Sequence, residues 1–461
     1  MPNRPNVLLI HCHDLGRHLH CYGQRTVHSP HLDALAAEGV LAEQMFTTAP
    51  QCSPSRAGLF TGRWPHRNGV LGLTHATFAW DLHPDERHLG SLLAEHGYRT
   101  ELVGVHHEVR AGSPAEVAER LGFDRVEPGG TAATVADRTV AALDRLATGE
   151  APFHLQVGFH EPHRVPGARD EPGVQGFLGD HIDPDSSLGV EVPPYLHDTP
   201  SARAEVAELQ GAIRHLDEAV GRILAEVDRL GLRDDTLVIF TTDHGIALPR
   251  AKCSLHDPGL EVAFLARWPA GGIDGGRRIP GMMLNLDVLP TILEATGAAA
   301  PPLPLHGRSV LPLLRADDTA GPGREQLFGE LTHHDYYDPC RTVRTATHRL
   351  IVSFSSAPKY MDPSQSWQRR CRPRDVATTT RTHDRVELYD LVADPHELDN
   401  LAERTEHEQV RTELLAALHR WMLQTDDPLL ARSTLSSPVT SPHHHAAVAL
   451  LERASRLTET G

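Results

Sequence analysis

Four short apolar runs in this 461-residue chain each end in side chains that can bind a cation or move a proton. His13 and Asp14 follow Val7–Ile10, His107 follows Leu102–Gly104, His160 and His163 follow Phe153–Phe159, and Asp243 and His244 follow Leu237–Phe240. Asp14, Asp243 and His244 make a mostly oxygen donor set suited to a hard divalent cation. The imidazoles have an intrinsic pKa suited to proton transfer near neutrality. Taken singly, each histidine also reads as a hydrogen-bonded structural residue, Asp14 as a strand-end cap, and Asp243–His244 as a tight turn before Gly245. Together they fit one rule: in open α/β sheets, ligands bind beyond the carboxyl ends of the strands.

The elements that would position them are readable from periodicity. The four runs, with Ala263–Leu265, are compact and apolar, as in strands of a parallel sheet buried on both faces. A helix is expected where Val206, Leu209, Ile213, Leu216, Val220, Ile223, Val227 and Leu230 recur at steps of three and four, ending at Gly231. A shorter helix is expected from Ser29 and Pro30 to Gly39. The pattern predicts an α/β fold with a mostly parallel sheet flanked by helices. The polar stretch 315–326 reads as a boundary. It divides a catalytic domain (1–320) from a C-terminal α+β subdomain (321–432) and a tail (433–461, with His443–His445) that is disordered or an oligomer contact. The interval 166–200, rich in Pro, Gly and Asp, reads as an excursion shaping access to the site.

Composition narrows the function classes. With 61 acidic against 44 basic residues the formal net charge is -17, which argues against nucleic-acid and anionic-membrane partners. Six cysteines, at 12, 21, 52, 253, 340 and 371, show no CxxC pairing and suggest neither a disulfide scaffold nor a zinc ribbon. No run approaches the roughly 18 apolar residues of a membrane span, and the N-terminal apolar run is too short for a signal peptide. A reducing, cytoplasmic setting is expected.

Cys52 opens the run CSPSRAGLFTGR, ending at Arg63. Cys52, Pro54, Ser55, Arg56, Thr61 and Gly62 resemble the CxPSRxxxxTG signature of the type I sulfatases. The resemblance extends from Arg4 to about Leu430 and takes in FHEPHR (Phe159–Arg164), NLDVLPTILEATG (Asn285–Gly297) and VELYDLVADPHELDNLA (Val386–Ala402). It implies the alkaline-phosphatase-like sulfatase fold, with a small C-terminal antiparallel subdomain. It also implies oxidation of Cys52 to formylglycine by a formylglycine-generating enzyme, the maturation partner. A hydrated aldehyde can attack sulfur with one hydroxyl and expel sulfate with the other, so the covalent intermediate resolves without a second attack at sulfur.

Residue by residue, the resemblance makes Arg56 the holder of the formylglycine hydrate, His163 a sulfate contact, and Lys252 a contact to both sulfate and nucleophile. His107 or His163 protonates the leaving group. One divalent ion, calcium by resemblance, is held by His13, Asp14, position 52, Asp243 and His244. Two departures stand out. His13 replaces one of two adjacent aspartates, which makes manganese, magnesium or zinc alternatives to calcium. Val105 replaces the lysine of a GKxH pattern, beside His106 and His107. Within the family the likeness is to the sulfamidase branch, on HRNG (His66–Gly69), DHGIALPRAK, THHD (Thr332–Asp335) and DDP near Asp427. His160, His333 and His334 are the expected sugar contacts, although the pair 333–334 also reads as an exposed loop. The function implied is hydrolysis of a sulfate ester or sulfamate on a sugar or similar small molecule, with a homo-oligomer as the candidate assembly. Phosphonate or phosphate ester hydrolysis, and a catalytically silent binding protein of the same fold, are the alternatives.

Overall fold

The computed structural model describes residues 4–459 apart from 76–77, 111, 169–170, 178, 180, 318–320, 322, 364–365, 368–369 and 432–440. In chain order the strands are β1 (Asn6–Cys12), β2 (Val40–Phe46), β3 (Arg99–Gly104), β4 (Arg125–Pro128), β5 (Phe153–Gly158), β6 (Val165–Ala168), β7 (Glu171–Gly176), β8 (Thr236–Thr242), β9 (Phe264–Arg267), β10 (Arg277–Leu284), β11 (Leu327–His333), β12 (Tyr337–Arg344), β13 (His348–Ser353) and β14 (Val386–Asp390). Eight of them form the main sheet, in the order β10-β2-β9-β8-β1-β5-β3-β4.

Alternate residues of β1 enter different cores, which is why its sequence is a continuous apolar run. Leu8 and Ile10 pack with Ile213, Leu216 and Val220 of the long helix Pro200–Arg229. Val7 and Leu9 pack on the other side with Leu59, Phe60 and Leu289. The long helix ends as expected, with Gly231 at φ 69°. The helix Pro30–Glu38 likewise starts on Ser29 and Pro30.

The sheet differs from the expectation at β9, which runs antiparallel to both β2 and β8. Burial on both faces makes a short apolar run alike in either direction, so the sequence of β9 carries no sign of its sense. β2 and β10, which pair in parallel, were not anticipated. β2 is interrupted by the half-buried Glu43 and Gln44, and β10 begins with Arg277 and Arg278.

β11 to β14 form the expected antiparallel sheet, in chain order. The helix Glu408–Gln424 packs on it, and a second helix, Pro442–Glu459, packs on the first. The tail expectation is therefore corrected over 442–459: Ala447, Leu451 and Ala454 are buried, giving this segment an apolar face to cover. Residues 433–440 of the tail lie outside the described residues. The stretch 166–200 contains the β6–β7 hairpin. Among the described residues no helix is long and apolar enough to cross a membrane.

His66 ties the segment after the helix Cys52–Thr61 to this second layer. Its Nδ1 lies 3.0 Å from Glu330 Oε1 on β11 and its Nε2 3.2 Å from the Thr425 carbonyl. Asp427 receives the buried Arg341 guanidinium at 2.6 and 3.2 Å.

Candidate active site

The four strands that end in histidine and aspartate are consecutive neighbours in the sheet, β8-β1-β5-β3, all parallel. Their register aligns Cys12 with Thr242, His11 with Gly158, and Gly104 with Gly158. His13, Asp14, His107, His160, His163, Asp243 and His244 are therefore delivered to one end of the sheet, as the ligand-site rule requires. Gly104 sits at φ 91°, and a Cβ there would lie 2.0 Å from the Gly158 carbonyl, so β3 and β5 can close on each other just before their histidines.

Cys52 is the first residue of the helix Cys52–Thr61 and is buried. Its Sγ lies 3.4 Å from His244 Nε2. Burial pushes its thiol up to about 12, against a lowering by Lys252. The helix start is held by Asn285, whose side chain accepts from Thr48 N at 3.1 Å and donates to Thr47 Oγ1 and the Ser55 carbonyl at 3.0 Å each. Ser55 in turn donates to the Asp243 carbonyl at 2.5 Å.

Asp14 and Asp243 are fully buried carboxylates. Asp14 adopts φ 49°, a left-handed conformation that non-glycine residues keep only where their surroundings impose it. Lys252 Nζ donates to both Asp14 oxygens, at 3.0 and 2.9 Å. Asp243 Oδ1 accepts from the backbone N–H of Asp14 at 2.9 Å and of His244 at 2.8 Å. Burial alone would raise both carboxyls. Lys252 for Asp14, and His244 and Arg56 for Asp243, hold them well below the usual range. Lys252 is driven the other way: burial lowers it, but Asp14 keeps it firmly protonated.

The donors present fit a divalent cation. One atom each from Asp14, Cys52, Asp243 and His244 lie within 4.8 Å of one another, and the same holds for His13, Asp14, Cys52 and His163. His244 Nδ1 bonds to the Gly245 carbonyl at 2.9 Å, which leaves the lone pair on Nε2, facing Asp14 Oδ1 at 3.2 Å. His13 is fully buried and neither ring nitrogen has a hydrogen bond among the described residues, although Nδ1 lies 3.0 Å from Asp243 Oδ2. A buried imidazole nitrogen without a partner, as at Nε2, is costly unless something outside the chain satisfies it.

A cavity of about 320 Å³ opens over these groups, bounded by Asp14, Cys52, His107, His160, His163 and Lys252 on one side and by His334 and Asp335 on the other. His163 Nδ1 bonds to the Arg164 carbonyl at 2.6 Å, so Nε2 accepts from Lys252 Nζ at 3.2 Å. Burial and Lys252 push His163 down to about 3. Burial, then Arg56, also lowers His107, whose Nδ1 has no hydrogen-bond partner among the described residues. Burial lowers His160 as well, and its ring lies 4.8 Å from that of His163.

The cavity lining leaves out three residues that the sequence singled out. Arg56 does not line the cavity: its guanidinium bonds to His11 Nδ1, to the Cys12 carbonyl at 2.9 Å and to Asp243 Oδ2 at 3.1 Å, bracing the carboxylate from behind. His333 also lies outside the cavity lining. It is the last residue of β11, and its ring packs 4.9 Å from that of Phe78, whereas His334, the next residue, is buried in the wall with Nδ1 2.9 Å from Asp335 Oδ1. Consecutive residues of an extended chain point to opposite sides, so only one of the pair can face the cavity. Val105 does not line the cavity either.

Sequence reasoning missed His75, Asp335, Arg164 and Gln175 as wall residues. His75 follows Val70–Leu73, which forms no strand, and its ring lies 4.9 Å from that of His107. Arg164 is occupied by the Ala247 carbonyl and Glu205, which leaves Lys252 as the lining cation directed at the carboxylates.

The sulfatase family model matches residues 5–298, and a model described as the C-terminal region of N-sulphoglucosamine sulphohydrolase matches residues 250–362. The chain is 30% identical over 471 residues to human N-sulphoglucosamine sulphohydrolase, covering 92% of this chain and 91% of that protein. It is 27% identical to a Formosa agariphila ulvan-active sulfatase, with 95% and 84% covered. Among solved structures, one described as a complex with its substrate D-glucosamine-2-N,6-O-disulfate aligns at TM-score 0.67 and 18% identity, covering 92% of this chain and 99% of that one. A structure described under the metabolism of multiple glycosaminoglycans by Bacteroides thetaiotaomicron aligns at TM-score 0.70 and 19% identity, covering 92% and 97%.

Proposed function

We propose a site-level mechanism on the premise that this chain belongs to the sulfatase family. Membership makes it a hydrolase of sulfate esters or sulfamates. The family also implies a divalent metal and a formylglycine, and the proposal places the formylglycine at Cys52 and the metal on Asp14, Asp243, His244 and His13. When bound, such a cation polarises sulfate oxygens and lowers the pKa of an attacking hydroxyl. Calcium is the metal proposed, and metal analysis of the purified protein separates it from manganese, magnesium and zinc.

The chain's own residues do the rest. Lys252 projects a buried ammonium toward the cavity, where it stabilises charge developing on the transferred sulfonate. Arg56 fixes Asp243 instead of touching substrate. His107 delivers the proton to the leaving group, because its Nδ1 is uncommitted whereas both nitrogens of His163 are engaged. Burial keeps His107 neutral without substrate, and an incoming sulfate raises its proton affinity. Val105 leaves this cation count one short of the family pattern, so Lys252 carries more of the load.

The substrate proposed is a sulfamate on a small sugar. The observation that carries it is that Lys252, His334 and Asp335, which bound the cavity, all fall in the segment 250–362 matched by the N-sulphoglucosamine sulphohydrolase model. The cavity is small for a long polysaccharide, and His334, Asp335 and His160 offer donors and acceptors for hydroxyls. Six free cysteines, five of them buried, support the cytoplasmic setting. The test is turnover of matched glucosamine N-sulfate, O-sulfate and phosphate by maturase-treated protein. Preference for an O-sulfate would overturn the sulfamate assignment, and preference for the phosphate would overturn the mechanism.

A further inference from the structure

We propose that Asp338, Cys340 and His383 form a second metal site, of zinc type, that clamps the long β13–β14 connection onto the C-terminal sheet. Asp338 and Cys340 are two residues apart on β12 and so share one face. His383 lies in the connection just before β14 and reaches that face. His383 Nε2 is 2.9 Å from Asp338 Oδ2 and 4.0 Å from Cys340 Sγ, and Cys340 Sγ is 3.7 Å from Asp338 Oδ1. Tetrahedral zinc with ordinary bond lengths places such donors about 3.3–3.6 Å apart. The three side chains thus need only small shifts to surround an ion.

The surroundings match those of a metal centre. Asp338 and Cys340 are each 1% exposed. Ser355 Oγ donates to Asp338 Oδ1 at 2.7 Å, which fixes the carboxylate. Glu387 Oε1 lies 3.9 Å from His383 Nδ1, beyond hydrogen-bond reach, and its other oxygen pairs with Lys359 at 3.0 Å. One thiolate, one imidazole and one carboxylate select a borderline ion, unlike the oxygen-rich set around Asp14. The thiolate is the ligand, so binding displaces the thiol proton.

The site would act on architecture. The connection from 354 to 385 is far longer than ordinary loops, and such loops usually serve function. It carries Pro363 to the rim of the active-site cavity. A clamp at its far end would set where that rim sits.

The experiment uses full-length Cys52→Ala protein, which removes the thiol of the clusters around Asp14, stripped of metal and titrated with cobalt(II). A thiolate-to-cobalt charge-transfer band and intense tetrahedral visible bands are expected, with one equivalent fewer bound and the band lost in Cys52→Ala/Cys340→Ser. Should that double variant fail to fold, Cys52→Ala/Asp338→Asn keeps the thiol, and a weakened affinity with altered visible bands is expected. Zinc should also raise the Tm of the Cys52→Ala protein but not of the Cys340→Ser double variant. No thiolate band in the Cys52→Ala protein, a band that survives Cys340→Ser, or an equal zinc-induced Tm shift in both would overturn the site.

Discussion

Lys252 and Asp14 form a buried ion pair, with Nζ 3.0 and 2.9 Å from the two carboxylate oxygens, and the same ammonium reaches His163 Nε2 at 3.2 Å. One cation therefore fixes the charge of a candidate metal ligand and the tautomer of a sulfate-facing imidazole. Lys252 lies between two left-handed residues, Arg250 at φ 69° and Cys253 at φ 60°, so the backbone is bent to aim it.

Lys252→Met should lower kcat by on the order of 10²–10³, the scale of losing one preorganised charged donor. It should also destabilise the metal-free protein by about 3–5 kcal/mol, because Asp14 is then left buried without a cation. Steady-state kinetics and urea unfolding check both, and full activity in this variant would remove Lys252 from the mechanism.

Cys52→Ala should abolish turnover and leave the circular dichroism spectrum unchanged, since a small side chain replaces a small side chain. In maturase-treated wild type the Cys52 peptide should be lighter by about 18 Da, the change from thiol to aldehyde. Turnover by the alanine variant would show that the nucleophile lies elsewhere.

Buried histidines should pull stability down as pH drops below about 6.5. His154 and His256 are lowered to about 3, chiefly by burial. A group whose folded pKa is depressed holds fewer protons when folded. Its contribution is therefore complete above the unfolded value of 6.5 and is lost as pH falls toward 3. Each such histidine costs up to about 1.4 kcal/mol per pH unit within that window. Urea midpoints at pH 7, 6 and 5 measure the slope, and His154→Gln should flatten it. A midpoint constant from pH 7 to 5 would contradict the assignment.

Gly245→Ala should cost most of the activity. A Cβ there would lie 1.9 Å from the Pro258 carbonyl, so the turn that presents Asp243 and His244 must move. Metal content should fall with turnover. An alanine variant with native metal content and rate would show that the turn tolerates the shift.

The positions of His13, Asp14, His107, Asp243 and His244 were legible because each follows a run that is apolar on both faces, and parallel strands end together. The direction of β9 was not, since apolarity has no sense along the chain. The target of Arg56 was also hidden. The resemblance assigned it to the formylglycine hydrate, whereas its partners Asp243 and the Cys12 carbonyl become visible only once β1 and β8 pair. The histidine pair at the end of β11 shows the same limit in miniature, because the alternation of the extended chain decides which of the two meets the cavity and its phase is not written in the pair.

The bridge from His66 to Glu330 and Thr425 has an evolutionary corollary. The groups that would break the bond belong to residues 13–252, whereas the opposite wall, with His334, Asp335 and Pro363, belongs to the later sheet and its long connection. Because that bridge docks the later sheet on the segment after the Cys52 helix, the wall can be rewritten without disturbing the machinery beneath it. A lineage could thus exchange one sugar for another by mutating a mould while inheriting the tool intact.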